Sequence, residues 1–275
     1  MNTIQDAMAA DGLLPFKPID IPDNGKLTRY RVTGDKPGSS NGWVVFHGGT
    51  YPAGAFGSWK TGESHTWHQE YTKPPSASER AIIREQYIQR NQEQAADREA
   101  VYKSAKDRAI RLWSRAIPAL DSHPYLKRKN IEAHGFRQLH NMLIIPARDA
   151  SGVIHTLQFI GQDGTKRFLK GGRTKGCYYA IGKPIDSLLI AEGIATACTL
   201  YKATGRATAA CFSCGNMLEV SRSLRAKFPR LKLILCADND LSTRGNPGVT
   251  KAFEAARAVN GYIAVPTLSR GVYHA

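Results

Sequence analysis

In the last third of the chain, short apolar runs alternate with amphipathic stretches of about eleven residues. SLLIA, ATAAC and LKLILC are continuous apolar runs, and IATACTLYKAT and MLEVSRSLRAK lie between them. Continuous apolar strands separated by helices are typical of a parallel sheet that is covered on both faces. The pattern from residue 185 onward therefore predicts an α/β domain with a parallel sheet and flanking helices.

The first part of the chain has a different pattern. Residues 26–70 contain the β-like runs LTRYRV and NGWVVFH, joined by the Gly-rich segments GDKPGSSNG and GGTYPAGAFGSW, which predict turns. This segment predicts a small antiparallel meander. Residues 1–24 show no clear period and predict an extended lead-in.

The middle of the chain predicts a long helix followed by a basic α+β segment. Ser76 and Glu79 fit a helix capping box, and the sequence to about residue 116 lacks Gly and Pro, which favours one long helix or two consecutive ones. HPYLKRKNI then predicts a short helix, and MLIIPARD with GVIHTLQFI predicts a hairpin. The predicted domains are a β-rich N-terminal module (1–75), a long helical linker (76–120), a basic mixed α+β subdomain (121–184) and the α/β domain (185–275).

The charge of the chain favours a polyanionic partner. Its 275 residues carry a formal net charge of +15 with a pI near 9.7, which indicates nucleic acid before an anionic membrane. Residues 121–183 are the most basic part, with eleven basic side chains against four acidic ones. No apolar run approaches membrane-spanning length, and no secretory signal is evident. The cysteines mostly lie in apolar stretches, which predicts reduced thiols and a cytoplasmic protein.

Three carboxylates follow two of the predicted strands. Glu192 comes directly after SLLIA, and Asp238 and Asp240 follow LILCA with a spacing that places both on one side of the backbone. Ligands of parallel α/β sheets bind at the carboxyl ends of the strands, and Mg²⁺ prefers oxygen ligands. The sequence therefore predicts a catalytic metal site for Mg²⁺ (or Mn²⁺). The alternative is that the Asp-Asn-Asp segment is only a turn that ends a strand.

These motifs resemble the Toprim fold of bacterial-type primases, topoisomerases and some nucleases, which has Glu-Gly after its first strand and Asp-x-Asp after its third. EGIATA (192–197) is similar to the EGYATA-type motif of plasmid and satellite-phage primases, and NPGVTKAFEAA (246–256) is similar to the helix that follows the acids. The resemblance implies that Glu192 acts in phosphoryl transfer and that Asp238 and Asp240 hold metal.

The preceding basic segment resembles the N-terminal part of the bacterial primase catalytic core. IIPARD and KRFLKGGRTKGCYYAIG (166–182) match the region of that core that contacts primer and template. The resemblance implies that the nucleic-acid or nucleotide contacts are Arg148, Lys166, Arg167, Lys170, Arg173 and Lys175. A solvated charged surface is the alternative. Phe168, Tyr178 and Tyr179 are available for base stacking or for a sheet core.

The chain departs from the family pattern in two places. No Cys precedes Cys177, so no zinc module of the finger type precedes the core, and a template-recognition module, if there is one, lies in the Trp-rich segment 26–70. The three tryptophans of that segment equally fit a small core. The acidic DFND-like string that usually follows the last strand is also missing from PTLSRGVYHA.

Cys211 and Cys214 form a single Cys-x-x-Cys pair, which indicates a structural role and no zinc.

The sequence predicts a DNA primase that uses NTPs to make short primers on single-stranded DNA for a plasmid, phage or other mobile element. Because these residues contain no P-loop, any helicase activity would come from a partner, such as a replicative helicase, or from a C-terminal region beyond this sequence. Two alternatives use the same features. One is a Toprim-type metal-dependent nuclease, and the other is a primase fragment that binds single-stranded DNA without catalysis.

Overall fold

The computed structural model describes residues 3–69, 76–239 and 245–266, and the chain divides into two compact units, residues 1–93 and 94–275. The described part is a mixed α/β structure with three sheets, in agreement with the predicted fold class. Its α-helices are α1 (Ile4–Ala10), α2 (Ala77–Arg115), α3 (Pro124–Lys129), α4 (Ile194–Thr204), α5 (Met217–Lys227) and α6 (Pro247–Ala258).

The first unit contains the predicted antiparallel meander. Four strands pair in sequence order, and their inner face forms a small apolar core with α1. The prediction of an extended lead-in was wrong for α1, where Thr3 and Asp6 form a capping box and Ile4 and Met8 are buried one turn apart. The strands are β1 (Thr28–Tyr30), β2 (Gly42–His47), β3 (Ala53–Ser58) and β4 (Ser64–His68).

Strand β3 lies in a segment that the sequence predicted as a Gly-rich turn. Its glycines make room for neighbouring side chains: a Cβ atom at position 57 would come within 2.8 Å of the Trp43 ring on the adjacent strand. A glycine is therefore needed at position 57 because the Trp43 ring packs against the backbone there. The glycine makes room for this ring and does not act as a signal that ends the strand.

Helix α2 is a single helix of 39 residues. At its start the Ser76 hydroxyl accepts a hydrogen bond from the Glu79 backbone at 3.3 Å, and the Glu79 carboxylate accepts one from the Ser76 backbone at 2.8 Å. This confirms the predicted capping box and decides between one helix and two. In the second unit, Ala105 and Ala109 are its buried positions.

The second unit contains an antiparallel sheet with the strand order β5-β6-β7-β8-β9. The predicted hairpin is present as β7 and β8. Successive residues of β7 point to opposite faces: Leu143 and Ile145 pack toward the third sheet, and Ile144 packs toward α2. The strands are β5 (Ile117–Pro118), β6 (Arg137–Leu139), β7 (Met142–Arg148), β8 (Ile154–Ile160) and β9 (Lys166–Phe168).

The third sheet has the strand order β10-β12-β11-β13-β14. Strands β11 to β14 are parallel, and β10 is antiparallel to β12. The backbones of Arg148 and Tyr178 exchange two hydrogen bonds, of 3.0 and 2.8 Å, which join β7 to the segment before β10. The strands are β10 (Tyr179–Ile181), β11 (Ser187–Ala191), β12 (Thr208–Ala210), β13 (Lys232–Cys236) and β14 (Tyr262–Ala264).

Within the described residues, no helix is both long enough and apolar enough to cross a membrane.

Candidate active site

Glu192 and Asp238 follow the two central parallel strands of the third sheet. Ala191, the last residue of β11, is in register with Cys236, the last residue of β13, so both carboxylates lie just beyond the same edge. Every residue of β11 is buried, and α4 begins after Gly193, which turns the chain away from the sheet. The sequence prediction that places these two acids at the carboxyl ends of adjacent strands agrees with this arrangement.

The two carboxylates are electrostatically coupled. Burial raises the pKa of Glu192, and the negative charge of Asp238 raises it further, while a hydrogen bond from the Cys214 backbone and the charge of Lys166 oppose this. Burial also raises the pKa of Asp238, and Lys166 again opposes the effect. Two half-buried carboxylates that repel each other suit a hard divalent cation, because a cation between them would offset both the repulsion and the desolvation.

The helix after the second acid packs directly against it. A Cβ atom at position 248, in the first turn of α6, would collide with the backbone carbonyl of Asp238. Gly248 thus allows α6 to approach the end of β13 closely, and this approach fixes the backbone that carries the Asp238 carboxylate.

Asp240 lies outside the described residues, so its position relative to Glu192 and Asp238 stays a prediction. No group of three or more His, Cys, Asp and Glu side chains within residues 3–69, 76–239 and 245–266 is arranged to hold a metal ion.

The six predicted basic residues do not form one cluster. Lys166, at the start of β9, is the one whose charge acts on both carboxylates. The Arg167 guanidinium lies 6.0 Å from the centre of the Phe159 ring, and the Lys170 carbonyl accepts a hydrogen bond from Arg108. Arg148 donates to the Gly152 carbonyl at 2.8 Å. The charges of Arg148, Arg167 and Lys170 are not among those that shift the pKa of Glu192 or Asp238.

Arg173 belongs to a second polar cluster with Asp149 and His155. Nε2 of His155 lies 2.7 Å from an Asp149 oxygen and 2.6 Å from an Arg173 nitrogen, and Arg173 pairs with Asp149 at 3.6 Å. Burial raises the pKa of Asp149, but hydrogen bonds from His155 and from the backbone of Val153 and Ser151 together bring it below its usual range. Nε of Arg173 is buried and has no hydrogen-bond partner among the described residues.

This cluster borders a basic cleft that sequence reasoning missed in part. Two adjoining cavities of about 580 and 700 Å³ share Tyr102 and Arg173, and Lys175 lines the larger one. The cations that α2 contributes are Arg98, Lys103 and Lys106. Arg98, Tyr102 and Lys106 are spaced four residues apart, so the helical period could have placed them on one face. We call this surface the α2 cleft.

The two tyrosines of the basic segment belong to the core. Tyr178 and Tyr179 are buried, and the Tyr179 hydroxyl donates to the His134 carbonyl at 2.6 Å. Phe168 packs edge-on against Phe212 at 5.4 Å. Of the two interpretations, the sheet core is the one that agrees with the structure for both tyrosines.

A buried asparagine ties the basic segment to the third sheet. The Asn216 amide nitrogen lies within hydrogen-bond distance of the carbonyls of Thr174, Cys177 and Cys211, at 2.8–3.1 Å, and its oxygen accepts from the Gly176 backbone at 2.8 Å. Asn216 therefore holds residues 174–177, which include Lys175, against the start of α5.

Comparison with known proteins agrees with the motifs. No protein-family model matches the chain. Two curated Escherichia coli proteins, each named DNA primase TraC, are 35% and 34% identical to it over 261 and 256 residues, which are 90% and 88% of this chain. The chain spans only 24% and 18% of the length of these relatives.

A solved structure of the primase fragment of the bacteriophage T7 primase-helicase protein matches 52% of this chain and 64% of its own, with a TM-score of 0.41 and 14% identity. The resemblance to primases that the motifs indicate is confirmed at the level of sequence: nearly the whole chain is homologous to a segment of proteins named DNA primase.

Proposed function

We propose that this chain is the catalytic part of a DNA primase and that it makes short primers on single-stranded DNA by metal-dependent nucleotidyl transfer. The observation that carries the proposal is the pair Glu192 and Asp238 at the ends of adjacent parallel strands, with Lys166 acting on both. The relatives named DNA primase support it. In this proposal residues 185–275 form a Toprim domain, and the replicon served is a plasmid, phage or other mobile element.

The residues present fit Mg²⁺ or Mn²⁺. Glu192 and Asp238 would hold the metal, with Asp240 as the predicted third ligand, and the bound metal would align a primer 3′-hydroxyl with the triphosphate of an incoming NTP. Lys166 would attract the triphosphate, because its charge lies at the same edge as the carboxylates. Glu192 must lose its proton before it can act as a ligand, and the raised pKa moves this step to higher pH than for an ordinary glutamate.

The α2 cleft would hold the phosphate backbone of the template or primer. Its lysines and arginines outnumber its carboxylates, and Asp149 is already paired with Arg173 and His155. Cations without a carboxylate partner neutralise phosphates and release counterions on binding. Arg173 and Lys175, which were predicted from the sequence, would act here together with Arg98, Lys103 and Lys106.

Further parts of the proposal rest on the sequence. The four-part division at residues 75, 120 and 184, the cytoplasmic location and the replicative helicase partner all stay predictions. The described structure adds that the helix of the proposed linker continues into the second unit.

The proposal is tested by de novo synthesis of oligonucleotides from labelled NTPs on single-stranded DNA with Mg²⁺. We expect Glu192→Gln and Asp238→Asn each to reduce the rate of synthesis by about 10²-fold or more. This is the usual effect of removing a side chain that acts directly in a reaction. Glu132→Gln is the matched control, since Glu132 is exposed in the same unit. Chelation of the metal should stop synthesis by the wild type.

The outcome also separates the alternatives. Cleavage of DNA without nucleotides, dependent on the same two carboxylates, would identify a nuclease. Binding of single-stranded DNA with no turnover in any metal would identify a non-catalytic fragment. Equal synthesis by the wild type and Glu192→Gln would contradict both the catalytic assignment and the metal site.

A further inference from the structure

Two arginines of the first unit are each stacked on an exposed aromatic ring. Arg29 lies in β1 and Arg31 directly follows this strand, with the buried Tyr30 between them. The Arg29 guanidinium carbon lies 4.5 Å from the centre of the Trp59 ring, and that of Arg31 lies 4.1 Å from the centre of the Phe16 ring. Trp59 and Phe16 are both 50% exposed, so about half of each side chain is open to solvent beside its arginine.

The guanidinium groups on this face form hydrogen bonds with backbone carbonyls. Arg29 donates to the Ser40 carbonyl at 3.0 and 3.2 Å, and Arg31 donates to the backbone carbonyl of Asp35 at 2.8 Å. Among the described residues neither guanidinium forms an ion pair with a carboxylate, and the Asp35 carboxylate is held by Lys60 at 2.5 Å. The backbone contacts hold both guanidinium groups in place, and the charge of Arg31 also lowers the pKa of the Asp35 carboxyl group.

The Trp59 ring is held in position by a second tryptophan. The Trp43 ring lies 6.0 Å from it, and Gly57 lets Trp43 lie close to the neighbouring strand. A ring that is fixed by its neighbours loses little conformational entropy when a ligand stacks on it.

A cleft of about 420 Å³ is lined by both arginines and by Phe16, and Trp59 adjoins it through its contact with Arg29. Its lining includes Lys17, Ser39 and Ser40 besides Phe16, Arg29 and Arg31. The Ser39 hydroxyl is buried and has no hydrogen-bond partner in the described part of the chain, so it is a polar group available to a ligand. The cleft thus combines a further cation and an unsatisfied hydroxyl with the aromatic rings beside it.

We propose that this face of the meander, formed by Phe16, Lys17, Arg29, Arg31, Ser39 and Trp59, binds single-stranded nucleic acid. Unstacked bases would stack on Trp59 and Phe16, and the phosphates would contact Arg29, Arg31 and Lys17. Paired bases in a duplex cannot offer their faces, so the face selects single strands. That the bound strand is DNA rests on the proposed primase function. The proposal that bases stack on Trp59 and Phe16 does not depend on that function.

The test is fluorescence anisotropy of the full chain with a labelled oligo-dT of fifteen nucleotides, without NTPs or metal. We expect Trp59→Ala to weaken binding by about tenfold, the effect of one lost base–aromatic stack, and Trp59→Phe to retain most of it. Tyr262→Ala is the matched control, since Tyr262 is 59% exposed on the other unit. Circular dichroism melting curves check that each variant folds.

Equal binding by the wild type and Trp59→Ala would overturn this proposal, as would equal loss in Trp59→Phe and Trp59→Ala when both are folded. Competition by polyglutamate as effective as that by oligo-dT would show that the face takes acidic chains in general, and would also overturn it. The anisotropy experiment measures binding and no catalysis. If the chain failed to synthesise primers, the conclusion about binding at Trp59 would therefore still stand. Conversely, loss of this proposal would leave the catalytic assignment intact.

Discussion

The negative charge of Asp238 raises the pKa of Glu192 across the carboxyl edge of the central parallel strands. Both groups are also desolvated, so in the absence of metal the folded chain holds them at a free-energy cost when they are ionised. This cost gives the candidate site a signature that can be measured without any enzymatic assay.

Replacing Glu192 with Gln should stabilise the metal-free protein at pH values above about 4.5, the ordinary pKa of Glu. The folded-state pKa of Glu192 is raised above its ordinary value of 4.5, so wild-type stability falls as the pH rises through the window from about 4.5 to the folded-state pKa. The Gln variant lacks this loss, and its melting temperature should exceed that of the wild type by a margin that grows across the window. Melting curves in EDTA between pH 4 and pH 8 measure it. A margin independent of pH would contradict the coupling.

Replacing Lys166 with Ala should raise the pKa of both carboxyl groups further. The Lys166 ammonium group lowers both values in the wild type, so its removal leaves burial and mutual repulsion less opposed. NMR titration of the metal-free protein would report this as carboxyl midpoints at higher pH. Lys232→Ala is the control, because Lys232 lies at the opposite end of β13. Unchanged midpoints in Lys166→Ala would place Lys166 away from the site.

Replacing Lys106 with Ala should weaken the binding of single-stranded DNA in the α2 cleft and lower its salt dependence. Removal of one phosphate contact reduces the slope of log K against log salt by about 0.7 to 1. Equilibrium binding at several salt concentrations measures the slope. The control is Lys202→Ala, whose ammonium group contacts the Asn130 carbonyl and does not line the cleft. Equal slopes for the two variants would contradict a role of the cleft in binding phosphate.

Replacing Asn216 with Ala should destabilise the second unit by about 3 kcal/mol or more, because several buried polar groups lose their partner at once. It should also release residues 174–177 and thereby weaken the binding of DNA through Lys175. Chemical denaturation measures the first effect and anisotropy the second. Asn141→Ala serves as the control, since Asn141 is exposed at a turn. A neutral effect on stability would show that the four contacts are not maintained in solution.

Much of the second unit could be predicted from the sequence, because its strands are continuous apolar runs and its acids directly follow them. Helix α1 was missed although Thr3, Asp6, Ile4 and Met8 carry the local signal, since seven residues are too few for a period to stand out. Strand β3 was missed because its glycines were interpreted without their aromatic neighbours.

The α2 cleft shows the limit of sequence reasoning about the site. Arg98 and Lys106 look like part of a solvated helix surface until the packing of α2 on the second sheet brings them beside Arg173. Tertiary packing brings residues that are far apart in the chain together in this cleft, and no local sequence pattern predicts such packing. The same holds for Asn216, whose partners lie up to 42 residues away.

Lys166 belongs to β9 of the antiparallel sheet, whereas Glu192 and Asp238 belong to the ends of β11 and β13 of the parallel sheet. The candidate site is therefore assembled from two sheets, which the backbone hydrogen bonds between Arg148 and Tyr178 join. The charge that lowers the pKa of both acids therefore comes from a different sheet than the acids themselves. The acidity of the site depends on how the two sheets pack, and a substitution in the core between them would change it without touching Lys166, Glu192 or Asp238.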